Sequence, residues 1–212
     1  MSQLRPPCQI YLITPPLIVD IRCFCDDLDK ALAQWPVAAL QIRLKQTPLE
    51  NIESHAGAIR DLCFAHNVAV LINDDVILAK KLRLDGAHIG QSDMSLTEAR
   101  KLLGPSVMIG VTCHNSRHLA MEASENGADY VAFGAFFETQ TKQTPYRADT
   151  DILTIWQDTM QTPCVAIGGI TAQNAGLLAQ AGADFVAVSS FVFAHEQGIS
   201  AGLALLSQAL EA

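Results

Sequence analysis

The chain has 212 residues, 50% hydrophobic and 17% charged, which suits one packed core better than two small domains or a disordered polymer. With 14 Lys plus Arg against 22 Asp plus Glu, the formal charge of −8 argues against a nucleic-acid partner or an anionic membrane surface. No apolar run approaches the roughly 20 residues of a spanning helix, and Met1 to Gln9 lacks the apolar stretch of a signal peptide, so a cytoplasmic protein is expected.

Short β-rich runs alternate with amphipathic helical stretches along the whole chain, with no linker or charge block between them, which predicts a single α/β domain over residues 1–212. The predicted strands are Ile10 to Thr14, Ala38 to Leu44, Val68 to Ile72, Gly86 to Ile89, Met108 to Thr112, Tyr130 to Gly134, Cys164 to Gly168 and Phe185 to Ser189. After the second strand, Thr47-Pro48-Leu49-Glu50 reads as a helix start, with Thr47 capping, Pro48 at the first helical position and Glu50 reaching back. Leu49, Ile52, Ala56, Ile59 and Leu62 then recur at helical spacing and are expected to pack inward. Ser95-Leu96-Thr97-Glu98 repeats the capping logic and Gly104 is placed to end that helix. Helices over Asn115 to Asn126 and Thr171 to Ala181 follow, each leading through Gly into a strand. Gly127-Ala-Asp-Tyr-Val-Ala and Gly182-Ala-Asp-Phe-Val-Ala are near copies at equivalent junctions, as repeated βα units would produce. Eight such units predict a (β/α)8 TIM barrel; the rival open sheet lacks a Gly-x-Gly-x-x-Gly turn after its first strand.

The chemistry of such a barrel lies just past its strands. In Gln41-Ile42-Arg43-Leu44-Lys45, period-two alternation puts Gln41, Arg43 and Lys45 on one face, either as a solvated strand end or as a clamp for phosphate. Asn73-Asp74-Asp75 ends the third strand and Asp93 follows the fourth. Asp74 and Asp93 could share Mg²⁺, or serve, like Asp75, in helix caps and turns. Thr139-Gln140-Thr141-Lys142 lies in a long loop, Ala135 to Asp149, of the kind that covers or binds substrate. Gly168-Gly169 and Ser189-Ser190 end the last two strands, where barrels commonly cradle phosphate; simple turn glycines are the alternative, although Gly169 would permit close backbone approach. A cationic cluster opposite a second phosphate cradle implies two phosphorylated substrates or one long one. His88 and His114 lie in strands, where a structural role is the expectation. The six cysteines, scattered through apolar segments, are expected to be reduced and mostly buried, and Cys23-x-Cys25 lacks the spacing of a usual zinc site.

Taken together, Tyr11-Leu-Ile-Thr-Pro, Gln41-Ile-Arg-Leu-Lys45, Asn73-Asp74, Gly86-Ala-His-Ile-Gly-Gln-Ser-Asp93, Ile109-Gly-Val-Thr-Cys-His114, Thr139-Gln-Thr-Lys142 and Gly168-Gly-Ile170 resemble the thiamine phosphate synthase family over nearly the whole chain. The resemblance implies a transferase that couples hydroxymethylpyrimidine diphosphate with a (carboxy)hydroxyethylthiazole phosphate, releasing diphosphate and, from the carboxylated thiazole, CO₂. It implies that Gln41, Arg43, Lys45, Asn73, Thr112 and Lys142 hold the pyrimidine diphosphate, with Arg43, Lys45 and Lys142 acting in catalysis. It places Mg²⁺ on Asp74 and Asp93, and the thiazole phosphate on Thr139, Thr141, Gly169, Ser189 and Ser190. The family mechanism is dissociative, through a pyrimidine-stabilised carbocation, and needs no protein nucleophile.

Three positions depart from the family pattern: Glu138 stands where proline is common, Thr112 replaces serine, and Ser189 replaces an apolar residue. Glu138 either weakens the phosphate loop or points to solvent. The implied partners are these small phosphorylated molecules, and a homo-oligomer stays open. A thiazole tautomerase of the same superfamily and a non-catalytic thiazole-phosphate sensor are the competing readings; neither needs the cation and carboxylate set.

Overall fold

The computed structural model describes residues 6–139 and 145–211. Eight parallel strands close into a barrel in sequence order: β1 (Gln9–Ile13), β2 (Ala39–Ile42), β3 (Ala69–Asn73), β4 (Gly86–Ile89), β5 (Met108–His114), β6 (Tyr130–Gly134), β7 (Cys164–Ile167) and β8 (Phe185–Val188), which pairs back onto β1. Around them lie α1 (Ile21–Leu32), α2 (Leu49–Ala65), α3 (Val76–Leu82), α4 (Leu96–Leu103), α5 (Arg117–Glu125), α6 (Asp151–Thr159), α7 (Ala172–Gln180), α8 (Ser190–Phe193) and α9 (Ile199–Glu211). None of the described helices is long and apolar enough to cross a membrane.

Strand alternation sorts the side chains into two cores. Leu12, Leu40, Val70, Ile72, Ile89 and Ile109 face the helices and are fully or nearly fully buried there, each contributing about 1.5–3 kcal/mol of hydrophobic stabilisation. Their neighbours Tyr11, Ile13, Ala39, Leu71, Tyr130, Ala132, Val165 and Ala187 fill the barrel interior. The same alternation sends Gln41, Asn73, His88 and Thr112 to the interior, because they stand at even spacing from Ala39, Leu71, Gly86 and Gly110.

The near-copied Gly-Ala-Asp segments have a common structural use. Asp184 Oδ2 accepts the Cys164 backbone N–H at 2.8 Å, and Asp129 Oδ2 accepts that of Ile109 at 2.7 Å. Asp85 does the same for Val70 at 2.7 Å. At three strand entries, then, a carboxylate just before one strand satisfies an amide at or near the start of the strand beside it, and this latches the register of β3 with β4, β5 with β6 and β7 with β8.

Local signals at the helix ends are largely as expected. Ser95 and Glu98 form a capping box, Gly104 ends α4 at φ 85°, and Asp75 accepts the Leu78 N–H at 2.8 Å at the start of α3. Thr171 and Asn174 cap α7 reciprocally. Thr47 is a correction. The helix begins a residue later than expected, with Pro48 extended at its boundary and no side-chain cap, and the Thr47 hydroxyl turns instead to the Pro16 carbonyl at 3.5 Å. Leu49 is a second correction: as the first residue of α2 it precedes the buried stripe and is 84% exposed, while Ala56 and Ile59 are fully buried.

All six cysteines are free thiols; Cys63, Cys113 and Cys164 are buried, Cys8 and Cys25 half-buried, and Cys23 exposed. Burial pushes Cys63, Cys113 and Cys164 up to about 12, because a thiolate there would lose its hydration.

Candidate active site

A cavity of about 140 Å³ opens at the C-terminal ends of the strands. Gln41, Arg43, Asn73, His88, Thr112 and His114 line one side, from β2 round to β5; Thr139, Gly168, Gly169, Ser189 and Ser190 line the other, and Ile13, Ile167, Ile170 and Ala187 supply apolar surface. Barrel closure is what brings β2 and β8 to one space, since 148 residues separate Gln41 from Ser189.

Arg43 follows β2, where its backbone N–H is held by Thr14 Oγ1 at 2.8 Å. Its guanidinium is half-buried at the cavity, and among the described residues it forms no ion pair. Burial lowers its pKa while the neighbouring Asp74 charge opposes that shift, so Arg43 stays cationic in a partly desolvated place that an anion would relieve.

Lys45 does not share the cavity. Because β2 ends at Ile42, the strand alternation that would aim Lys45 inward has lapsed, and its exposed ammonium pairs with the Asp74 carboxylate. Asp74 takes the left-handed conformation at φ 65°, with its backbone N–H donated to the His88 carbonyl at 2.8 Å. Asp93 is exposed, and its Oδ2 accepts the Gly90 N–H at 2.8 Å, the turn role that the sequence left open. Lys45, Asp74 and Asp93 therefore stand on the loops after β2, β3 and β4, outside the cavity lining.

Across the mouth, Thr139 reaches the cavity whereas Glu138 is turned away, its side chain 97% exposed and 3.8 Å from the Arg147 guanidinium. Thr141 and Lys142 lie outside the described residues. Gly169 lines the cavity, and here another stretch of backbone does approach closely. At φ 64° a Cβ there would collide with the Glu138 carbonyl oxygen and lie 2.8 Å from Phe137 Cβ, so the missing side chain makes room for the β6–α6 loop. Ser189 follows β8, with its hydroxyl 3.5 Å from the Thr14 carbonyl, and Ser190 is exposed at the start of α8.

Below the mouth the polar residues are joined. The Gln41 amide, 3% exposed, donates to Tyr11 Oη at 3.0 Å, and Tyr11 Oη lies 2.9 Å from Tyr130 Oη. His88 contacts Tyr130 Oη through Nδ1 and Thr112 Oγ1 through Nε2, both at 2.8 Å. Sequence reasoning set His88 and His114 aside as structural, yet both line the cavity. Alternation from Gly86 could have placed His88 inward. His114 could not be placed that way: a register irregularity in β5 precedes it, and its ring stacks on Tyr146 with centroids 4.2 Å apart.

The donor chemistry of the β3 and β4 loops suits Mg²⁺. Asp74 and Asp93 offer hard carboxylate oxygens, although among the described residues no group of three or more His, Cys, Asp or Glu is placed to hold a metal ion. Mg²⁺ typically uses one or two carboxylates and fills its shell with phosphate oxygens and water, so two are enough.

A closed (β/α)8 barrel with a half-buried guanidinium at its C-terminal mouth, without an ion pair among the described residues, defines the class: a barrel whose site suits an anionic small molecule where barrel enzymes work. The family described as Thiamine monophosphate synthase matches residues 10–192. A thiamine-phosphate synthase of Rhodospirillum centenum is 51% identical over 197 residues, covering 93% of this chain and 95% of that protein. One from Hyphomonas neptunium is 47% identical, covering 95% of this chain and 93% of that protein. The solved thiamine phosphate pyrophosphorylase of Pyrococcus furiosus superposes with a TM-score of 0.83 at 27% identity, over 96% of this chain and 95% of that one. The chain belongs to the thiamine monophosphate synthase family.

Proposed function

We propose that this chain is a transferase that joins hydroxymethylpyrimidine diphosphate to hydroxyethylthiazole phosphate, forming thiamine phosphate and releasing diphosphate. CO₂ is released as well when the thiazole is carboxylated. The observation that carries the reading is the half-buried Arg43 guanidinium, without an ion pair among the described residues, in a cavity shared by Gln41, Asn73 and Thr112 on one wall and Thr139, Gly169, Ser189 and Ser190 on the other. Its support from relatives is the synthase name borne by proteins about half identical over nearly the whole chain.

In this mechanism the bond from the pyrimidine methylene carbon to the diphosphate oxygen breaks first, and its electron pair leaves with the diphosphate. The thiazole nitrogen then gives its lone pair to the carbocation and the C–N bond forms. Arg43, Lys45 and Lys142 stabilise the growing negative charge on the leaving group, the point where preorganised cations lower a barrier most. Gln41, Asn73 and Thr112 orient the pyrimidine diphosphate by hydrogen bonds. Thr139, Thr141, Gly169, Ser189 and Ser190 hold the thiazole phosphate, so that the two halves meet within one cavity. Asp74 and Asp93 would hold Mg²⁺, with Lys45 sharing or releasing the Asp74 carboxylate; the chemistry the ion supplies when bound is charge neutralisation on the diphosphate. No side chain is required as nucleophile.

The deciding experiment is thiamine phosphate formation from the two substrates, with Mg²⁺ and with EDTA. Product that disappears with EDTA is expected. A folded protein that binds thiazole phosphate yet yields no product would hand the site to a tautomerase or a sensor.

A further inference from the structure

Five polar groups from five strands, four of them buried and Thr112 half-buried, make one continuous hydrogen-bonded path at the floor of the cavity: Gln41, Tyr11, Tyr130, His88 and Thr112. Both ends of the path, Gln41 and Thr112, line the cavity, as does His88 between them. Burial raises the Tyr11 pKa to about 12 and holds Tyr130 well above its ordinary value, so each phenol keeps its proton and has one hydrogen to donate. With a neutral imidazole, two proton orders then satisfy every link. In the first, the Gln41 amide N–H donates to Tyr11, Tyr11 to Tyr130 and Tyr130 to His88 Nδ1. His88 Nε2–H donates to Thr112 Oγ1, which leaves the Thr112 hydrogen for an acceptor in the cavity and the Gln41 carbonyl for a donor there. In the second, every arrow reverses: Thr112 spends its hydrogen on His88, and Gln41 presents its NH₂ to the cavity.

We propose that Tyr11, Tyr130 and His88 are positioning residues that couple the Gln41 amide to the Thr112 hydroxyl, so that the cavity takes an amino-heterocycle at Gln41 and an anion at Thr112 as a matched pair. The inference rests on the proposed coupling reaction, whose aminopyrimidine diphosphate carries an amine donor and an anionic acceptor on one molecule. That pair selects the first order, and Arg43 draws the same anion to the same wall. An anion at Thr112 favours the hydroxyl that donates into the cavity; the path carries that preference to Gln41, which then presents its carbonyl to the amine. The fold makes room for this arrangement. Gly110 faces Tyr130 across the β5–β6 ladder, and a Cβ at Gly110 would overlap Tyr130 Cζ and Oη, so the bare position lets the ring lie with its hydroxyl on the path.

The test compares wild type with Tyr130→Phe, which removes one hydroxyl and keeps the ring, and with Tyr11→Phe. Titration calorimetry measures inorganic diphosphate with and without the free amino-hydroxymethylpyrimidine, which gives the coupling between the two fragments. Each fragment is expected to tighten the other several-fold in wild type, and that factor should fall to near one in Tyr130→Phe while each fragment alone still binds. In the assay, KM for the pyrimidine diphosphate should rise roughly tenfold in that variant, the usual effect of opening a buried hydrogen-bonded path. In ¹⁵N spectra of wild type with diphosphate and the aminopyrimidine bound, His88 should carry its proton on Nε2 alone, a preference lost in Tyr130→Phe; Tyr11→Phe should show the same loss of coupling. Equal fragment coupling in wild type and Tyr130→Phe, or a proton on His88 Nδ1 in wild type with both fragments bound, would overturn the inference. These readouts need no turnover, so a failure of the coupling reaction itself shows separately, as absent product from wild type.

Discussion

Arg43 shows how a single side chain acquires its role from its surroundings. Arg43→Gln keeps a hydrogen-bonding group but removes the fixed charge, and is expected to lower kcat/KM by roughly tenfold or more; Arg43→Lys should recover only part, because the planar fork that grips two phosphate oxygens is gone. Steady-state kinetics with the pyrimidine diphosphate check this, and a change below twofold in Arg43→Gln would remove the guanidinium from the reacting anion. Asp74→Ala with Asp93→Ala is expected to abolish Mg²⁺-dependent turnover while circular dichroism shows the barrel intact. Undiminished activity would dismiss the carboxylate pair as metal ligands. Lys142→Ala should lose more than roughly an order of magnitude in rate, the usual worth of a charged donor at a reacting group. A residue's identity was enough to nominate Arg43 and Lys45 together. It was not enough to separate them, because the end of β2 decides which one reaches the cavity.

Among the elements, the strand entries are governed by the carboxylate latches. Asp184→Ala leaves the Cys164 amide without its acceptor between β7 and β8, and is expected to cost about 1–3 kcal/mol in a denaturant titration, with Asp184→Asn milder because an oxygen acceptor remains. An unchanged midpoint would mean that water replaces the carboxylate at no cost. The Gly-Ala-Asp repeats were visible in the sequence, but their use was not: the amide each one satisfies belongs to the preceding strand, about 20 residues upstream for Asp129 and Asp184. Helix starts were read correctly where the capping partner is three residues away, as in Ser95 with Glu98. Thr47 was misread because its hydroxyl is claimed by Pro16, on a different loop. Local chemistry predicts a cap only while no distant group competes for it.

Over the whole barrel, the buried thiols link stability to pH. Cys63, Cys113 and Cys164 have their pKa raised from 9.0 to about 12, so above about pH 9 the unfolded chain releases protons that the folded chain retains. Stability is therefore fully present below that pH and falls as pH rises toward 12. Urea midpoints measured upward from neutral pH should decline only past about pH 9, and at neutral pH alkylation should reach Cys23 well before the three buried thiols. A flat profile through that range would show that the thiols are hydrated in the fold.

By itself the sequence determined the alternation of strands and helices, the eight-fold count, the side of each strand that faces inward, and the set of motifs that mark the family. Those properties follow from periodicity and from contacts between residues a few positions apart, which a one-dimensional chain displays. Only the tertiary structure decided which polar groups share a space. Closure brings Arg43 opposite Ser189 and leaves Lys45 outside with Asp74. It also threads Gln41, Tyr11, Tyr130, His88 and Thr112, from five strands, into one hydrogen-bonded path. Alternation says that these five point inward. Which of them meet depends on barrel radius, strand stagger and the empty position at Gly110, quantities fixed by the packing of all eight strands together.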